Sequence, residues 1–273
     1  MDDKQSTNSG LRELALFAGA GGGILGGKLI GWRTVCGVER DAYAAQVLAQ
    51  RQNDGILEPF PIWSDVCSFD GKPWRGIVDV VSGGFPCQDI SAAGKGAGIE
   101  GKRSSMWGEM ARIIGEVRPR YAIVENSPML VSRGLAVVIS DFAAIGYDAK
   151  WMCLSAQELG ANHIRDRIWI LASDTNSDSK PSKPGNDEAS RMQGVCENDA
   201  NPDLPQCERA MQPIGIQQKH TKPSNSHWWK DTPEFNRMDD GVASRLDKAR
   251  LKAIGNGQVP ICMATSFQRL IDL

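Results

Sequence analysis

A cysteine on a stiff turn is the first residue of this chain that could do covalent chemistry. It stands in the stretch Gly83–Ser91, GGFPCQDIS, after the β-branched run Ile77–Val81, which predicts a buried strand. We expect the glycine pair to break that strand and Pro86 to fix the backbone just before Cys87. The thiol then lies at the carboxyl end of a strand, where open α/β sheets bind their ligands. Because cysteine is among the most often buried residue types, the motif alone leaves a purely structural role open.

An acidic residue ends the next predicted strand. Glu125 and Asn126 follow the apolar residues 121–124, and the segment 78–125 predicts strand, helix and strand. A right-handed crossover therefore sets Glu125 close to Cys87 at one edge of the sheet, with the Asn126 amide able to orient the neighbouring loop. A carboxyl group beside a thiol at such an edge is a poor structural choice and a useful chemical one.

Two basic segments supply positive charge. Arg165 and Arg167 precede the strand predicted at 168–172, and their alternate spacing places two forked donors on one face of an extended segment, although a solvated edge explains this pattern equally well. The glycine-rich stretch 91–105 carries Lys95, Lys102 and Arg103. It is either a lid that closes over a phosphate backbone or a surface loop.

A glycine-rich turn follows the first predicted strand, 14–17, and opens a helix, which is the general device for cradling a nucleotide. Residues 21–26 match the dinucleotide pattern G-x-G-x-x-G, and Glu39 follows the second strand, where a carboxylate can accept both hydroxyls of a ribose. A nucleotide-triphosphate loop is disfavoured because Leu29 stands where Ser or Thr must hold magnesium. The dinucleotide interpretation stays open.

Strands alternate with helices up to about residue 173, which predicts an α/β domain with a parallel sheet. Asp65 ends a weak third strand, and Met106 begins an apolar stripe of helical spacing up to Val117. Polar residues without periodicity then dominate an irregular insertion, before a final amphipathic helix at about 261–271 that we expect to pack on the first domain. The predicted divisions are 11–173, 174–236 and 237–273.

Composition limits the class of protein. The 273 residues carry a formal net charge of -2, so no global basic field indicates nucleic-acid binding, although this net charge is compatible with a local basic patch.

The 7 cysteines are odd in number and lack C-x-x-C spacing, which indicates a reducing compartment. Because Cys196, Cys207, His220 and His227 fit no zinc module, we predict no metal. The polar first ten residues and the lack of a membrane-length apolar run predict a soluble, cytoplasmic protein without a membrane partner.

In their order along the chain, these motifs resemble those of the DNA (cytosine-5)-methyltransferases. Residues 17–22, FAGAGG, are similar to the family's cofactor loop, and Phe85–Gln88, FPCQ, to its nucleophile motif. Three further motifs of the family are similar to segments of this chain, namely Glu125–Asn126, Arg165–Arg167 and Gly255–Asn256. The resemblance implies a Rossmann-like, S-adenosylmethionine-dependent methyltransferase fold of the α/β class. Residues 11–173 would bind the cofactor and carry catalysis, 174–236 would form a small irregular target-recognition lobe, and 237–273 would return to the catalytic domain.

The resemblance also implies a function, which is transfer of a methyl group from S-adenosylmethionine to C5 of a flipped-out cytosine in double-stranded DNA. Cys87 would add covalently to C6, protonated Glu125 would stabilise charge at N3, and Arg165 or Arg167 would hold O2 and the catalytic loop. With Asn126, these are the implied catalytic residues. The implied cofactor contacts are Phe17, Gly19, Ala20, Gly21, Gly22, Glu39, Asp65, Val66, Pro86, Met106 and Asn256. The implied DNA contacts are Gln88, Ser91, Lys95, Lys102 and Arg103.

Three other functions compete with this one. A tRNA-directed cytosine-5 methyltransferase uses the same chemistry, but those relatives carry a Cys-Phe-Thr signature that is absent here. A nicotinamide-dependent oxidoreductase rests only on the glycine pattern and Glu39, and gives no joint role to Cys87, Glu125 and Arg165. A non-catalytic DNA-binding relative would not need Cys87 and Glu125. We expect a monomer, as is usual in the family that the chain resembles.

Overall fold

The computed structural model describes residues 10–86, 106–175 and 244–273. Within them, seven strands form one sheet, namely β1 (Arg12–Leu16), β2 (Arg33–Val38), β3 (Ile62–Trp63), β4 (Val80–Gly83), β5 (Tyr121–Asn126), β6 (Tyr147–Ser155) and β7 (Asp166–Asp174). Their spatial order is β3-β2-β1-β4-β5-β7-β6. Strands β1 to β5 pair in parallel, whereas β7 runs antiparallel to both β5 and β6. The carboxyl ends of the five parallel strands therefore meet at one edge.

Helices cover the sheet, because parallel strands need crossover connections. The described helices are α1 (Gly22–Leu29), α2 (Ala42–Asn53), α3 (Met106–Val117), α4 (Leu130–Arg133), α5 (Leu135–Ala144), α6 (Ser244–Asn256) and α7 (Pro260–Asp272). Short 3-10 turns lie at Val66–Ser68, Lys72–Trp74 and Ala156–Leu159. The Rossmann-like α/β fold predicted for the chain is confirmed.

One face of the sheet is packed by α3 and α5. The apolar stripe predicted for α3 is buried from Trp107 to Val117, whereas Met106 is half-buried. Trp107 contacts the rings of Phe85 and Phe142. These side chains share a core cluster with Val81 of β4 and Val124 of β5. The spacing of the stripe thus identified both the helix and its buried face.

The opposite face is packed by α1 and α7. The helix expected at about 261–271 is confirmed at Pro260–Asp272, and its apolar side packs on the first domain. Phe267 meets the ring of Trp32 edge-on, with 4.6 Å between the centroids. The two helices approach closely because Gly26 has no side chain, and a β-carbon added there would lie 2.8 Å from Cβ of Met263.

Two strands differ from the predictions. The strand predicted at Ile77–Val81 begins at Val80, where pairing with β1 starts, and Ile77 is exposed. The first glycine does not break it: Gly83 is the last residue of the strand and pairs with Leu16 and Val124. A side chain is excluded there, since a β-carbon would lie only 2.5 Å from the backbone oxygen of Leu16. The last strand begins earlier than predicted, since Asp166 already pairs with β6.

Residues 130–159, for which the sequence analysis predicts no element, form α4, α5, β6 and a 3-10 turn. Among the described residues, no helix has the length and apolar character needed to cross a membrane. The insertion predicted at 174–236 lies outside the described residues apart from its first two positions, so the predicted divisions stay predictions.

Candidate active site

A loop with left-handed backbone joins β1 to α1 at the carboxyl edge of the sheet, and we call residues 17–21 the glycine loop. Phe17, Gly19 and Gly21 have φ values of 51°, 55° and 86°. At Gly21 a side chain is also excluded by space, since a β-carbon would lie 2.7 Å from Cδ2 of Leu48. The glycine pattern therefore reflects backbone conformation and close packing as well as any ligand.

Glu39 fastens the glycine loop to the end of β2. Its two carboxylate oxygens accept hydrogen bonds from the backbone N–H groups of Gly19 and Asp41, both at 2.6 Å. Asp41 in turn caps α2 by accepting from the N–H groups of Tyr43 and Ala44. The acidic residue predicted to bind a ribose thus also sets the shape of the loop.

Three further residues predicted to bind cofactor occupy different environments. The Asp65 carboxylate accepts the N–H of Cys67 at 3.0 Å and begins a 3-10 turn, which is the turn-forming role that its type allows. Val66 is buried in the core beneath it. Asn256 is exposed at the end of α6.

The turn that leads toward Cys87 is held by Asn126. Its Nδ2 atom donates to the backbone oxygen of Phe85 at 3.1 Å, and its Oδ1 atom accepts from the N–H of Ser127 at 2.7 Å. The Asn126 amide thus orients the neighbouring loop, as expected from the sequence, and its part in catalysis stays a prediction. Pro86 is the last residue described before a gap, and Cys87, Gln88, Ser91, Lys95, Lys102 and Arg103 lie outside the described residues.

Glu125 is a buried acid at the end of β5, with 8% of its surface exposed. Its Oε1 atom forms an ion pair with Nε of Arg167 at 2.7 Å. Burial raises the pKa of the Glu125 carboxyl, while the charges of Arg167 and Arg165 and a hydrogen bond with Gln258 oppose that rise. The side chain therefore combines exclusion from water with cationic partners, which is typical of a group that exchanges a proton.

The two arginines reach this acid because β7 is antiparallel to β5. Glu125 lies opposite Trp169 in the register, so Arg167 falls on the same face of the sheet. Arg165 lies just before the strand and donates from Nη2 to the backbone oxygen of Gly257 at 2.7 Å. The ion pair between Arg167 and Glu125 was not predicted from the sequence.

Sequence analysis also missed Gln258. Its signal was limited to its position two residues after Asn256 and two residues before Pro260. The structure packs it between α1 and Glu125. Among the described residues, no group of three His, Cys, Asp or Glu side chains could hold a metal ion.

Comparisons with known proteins identify the family of this chain. The family model for C-5 cytosine-specific DNA methylases matches residues 11–268. The type II methyltransferase M.PspPI of Psychrobacter sp. (strain TA137) is 39% identical over 137 residues, which are 48% of this chain and 32% of that protein. M.CviJI, a type II methyltransferase of Paramecium bursaria Chlorella virus IL3A, is 35% identical over 163 residues, which are 59% of this chain and 42% of that protein.

The matched part is therefore well under half the length of these two curated relatives. Among solved structures, DNMT2 of Spodoptera frugiperda aligns with 70% of this chain and 61% of its own, at 17% identity and a TM-score of 0.51. A likeness at that identity supports the fold.

Proposed function

Because this chain belongs to the family of C-5 cytosine-specific DNA methylases, we propose that it transfers a methyl group from S-adenosylmethionine to C5 of cytosine in double-stranded DNA. The observation that carries the proposal is the buried Glu125, which has Arg167 as its ion-pair partner and lies at the end of β5, the strand paired with β4. Its neighbour Asn126 holds the turn that precedes Cys87. A proton donor at the end of β5 and a thiol four residues beyond the end of β4 in the sequence match the needs of this reaction.

In the proposed reaction the Cys87 thiolate adds to C6 of cytosine, because C5 is a weak nucleophile until the ring becomes an enamine. A proton from Glu125 moves to N3 and neutralises the charge that the addition pushes there. Bound S-adenosylmethionine supplies the methyl group that C5 acquires. Loss of the C5 proton to a base and return of the N3 proton to Glu125 then restore the ring and expel the Cys87 thiolate.

The thiol needs activation, since a free cysteine has a pKa of about 8.5. We propose that the positive charge of Arg165 or Arg167 lowers that pKa. The burial that raises the pKa of Glu125 favours its protonated form, which is the form that the first step needs.

The residues around the glycine loop fit a nucleoside cofactor. Each Glu39 oxygen uses one acceptor site on a backbone N–H group and keeps another, so the carboxylate can still accept ribose hydroxyls. We propose that the glycine loop, Glu39 and Met106 form the core of the cofactor site. The remaining predicted contacts, which we retain in the proposal, are Asp65, Val66, Pro86, Gly22 and Asn256.

We propose duplex DNA as the substrate, with the target cytosine flipped out of the stack, because a base inside a duplex cannot reach a buried site. The basic residues Lys95, Lys102 and Arg103, with Gln88 and Ser91, would contact the strands. Residues 174–236 would select the sequence, and the chain would act as a monomer. No observation favours the tRNA-directed alternative, and the experiments below distinguish it from the DNA-directed function.

The test is incubation of the purified chain with methyl-labelled S-adenosylmethionine and mixed-sequence duplex DNA, followed by bisulfite sequencing. We expect 5-methylcytosine at one short motif, and none with the Cys87→Ala variant. Cys67→Ala removes an exposed cysteine and serves as the matched control, with label transfer equal to that of the unmodified chain.

A parallel incubation with tRNA uses the same label. Label in tRNA alone would replace the DNA function by the tRNA-directed one. Label in neither substrate, with S-adenosylmethionine binding measured by calorimetry, would refute a methyltransferase that acts on cytosine in these nucleic acids. Binding of NAD without S-adenosylmethionine would instead support the oxidoreductase.

A further inference from the structure

Gln258 occupies the space left by three glycines from two distant parts of the chain. A β-carbon added at Gly22 would lie 2.1 Å from the backbone oxygen of Gln258, and one added at Gly23 would lie 2.1 Å from its Oε1 atom. At Gly84, which precedes the turn to Cys87, an added β-carbon would lie 3.1 Å from Nε2 of Gln258. The side chain thus extends from the first turn of α1 to the end of β4.

The same amide group reaches the buried acid. The position of a β-carbon at Gly84 is also 2.5 Å from Oε2 of Glu125, so that oxygen and Nε2 of Gln258 converge on one point. The Gln258 amide also lowers the pKa of the Glu125 carboxyl, as a hydrogen-bond donor to its ionised form does. Because an ionised carboxylate only accepts hydrogen bonds, the amide N–H is the donor to it.

The backbone around Gln258 is also fixed. Arg165 donates from Nη2 to the backbone oxygen of Gly257 at 2.7 Å, immediately before Gln258. On the other side, Val259 and Pro260 begin α7, whose apolar side is buried against the sheet. Because the backbone is held on both sides of Gln258, its side chain has little freedom to move away from the Glu125 carboxyl group. The Gln258 amide can therefore fix the orientation of that group.

We propose that Gln258 is a positioning residue for the methyl transfer, which holds the Glu125 carboxyl toward Gly84 while it rests on the glycines that open α1. Arg167 holds Oε1 of the carboxyl group and Gln258 acts on the side of Oε2, so the two together define its plane. The inference rests on the proposed function, since the position of this carboxyl group matters for proton transfer to N3. In this proposal the segment that contains Gly255–Asn256 and Gln258 supports Glu125 as well as the cofactor site.

The test compares Gln258→Met, which keeps the length of the side chain and removes the amide, with Gln268→Met, which makes the same change on the exposed side of α7. Single-turnover methylation of duplex DNA, the dissociation constant of S-adenosylmethionine and the midpoint of thermal unfolding are measured for each. For Gln258→Met we expect a rate about tenfold to about a hundredfold lower, with cofactor affinity within about twofold and the midpoint unchanged. The control should match the unmodified chain in all three.

The pH profile distinguishes positioning from a packing role. Donation from Gln258 lowers the pKa of Glu125, so its loss raises that pKa further. Because the reaction needs protonated Glu125, its rate falls as pH rises through that pKa, and the falling limb should move to higher pH in Gln258→Met. An unchanged rate and limb, or equal losses of rate, cofactor affinity and stability, would overturn the proposal.

Two further measurements keep the proposal testable. If Gln258→Met does not unfold cooperatively, Gln258→Asn keeps an amide that is too short to reach Glu125, and the same shift is expected. If the unmodified chain methylates neither DNA nor tRNA, the proposed function fails on its own. The pKa of Glu125 is then read by carbon-13 NMR, with Glu125→Gln assigning the signal, and an identical value in Gln258→Met would refute the positioning contact.

Discussion

Glu13 is a buried acid that the proposed reaction does not use, and it should make the stability of the fold depend on pH. Its carboxyl group is fully buried between β1, β2 and β4, and accepts hydrogen bonds from Oγ1 of Thr34 at 2.6 Å and from Oγ of Ser82 at 2.5 Å. Burial raises the pKa of Glu13, although the two hydroxyl groups oppose that rise. The folded protein therefore binds this proton more tightly than the unfolded chain does.

The sign of the effect follows from this difference. The unfolded chain releases the proton near its ordinary pKa of about 4.3, whereas the folded chain keeps it to higher pH. The stabilisation from Glu13 is complete below the unfolded value and is lost as pH rises through the folded one, by up to about 1.4 kcal/mol per pH unit. Glu13→Gln removes the titration and keeps the shape, and its amide can accept from one hydroxyl and donate to the other.

The assay is urea unfolding of both proteins at half-unit steps from pH 4.5 to pH 8.5. The free energy of unfolding of Glu13→Gln, minus that of the unmodified chain, should increase from the lowest pH upward and become constant above the folded pKa. Glu58→Gln is the matched control, because it makes the same change at a side chain that is 67% exposed and whose ion pair with Arg33 contributes little to stability. A difference for Glu13→Gln that does not vary with pH would refute the reasoning, since it would mean that Glu13 has the same pKa folded and unfolded.

Two further predictions concern the glycine loop and the central strands. Glu39→Gln should weaken S-adenosylmethionine binding by about 1.5 to 3 kcal/mol, because two backbone N–H groups lose a charged acceptor and the ribose loses its partner. Calorimetry tests this, and an unchanged affinity would remove Glu39 from the cofactor site. Gly83→Ala should destabilise the fold by about 1 to 3 kcal/mol, because the added carbon meets the backbone oxygen of Leu16. An unchanged urea midpoint would show that β1 and β4 can separate at no cost.

The parts of the fold that the sequence predicted correctly depend on local periodicity. The stripe that begins at Met106 identified α3, because residues three and four apart share one face of a helix. The predicted start of β4 at Ile77 was wrong, because a run of β-branched residues does not indicate where the strand begins to pair with its neighbour. Asp79 instead accepts hydrogen bonds from Arg12 and leaves Ile77 exposed before the strand.

In the candidate site, too, local contacts could be predicted from the sequence and contacts between distant segments could not. Asn126 was expected to orient the adjacent loop through its amide, and its contact with Phe85 is local to the ends of two neighbouring strands. The contacts of Gln258 depend on Gly22, Gly84 and Glu125, all more than 130 residues earlier in the chain. No spacing rule connects such positions, so only the folded sheet reveals them.

The reversed strand β7 explains how cations reach the carboxyl edge of a parallel sheet. In a parallel strand, the residues that precede it lie at the amino edge, away from the glycine loop and the end of β5. Because β7 runs antiparallel to β5, Arg165 and Arg167 lie at its beginning and yet beside the last residues of β5. Arg167 can then pair with Glu125 while Arg165 holds the turn at Gly257. The position of a basic motif before its strand, which would argue against an active-site role in an all-parallel sheet, therefore supports one here.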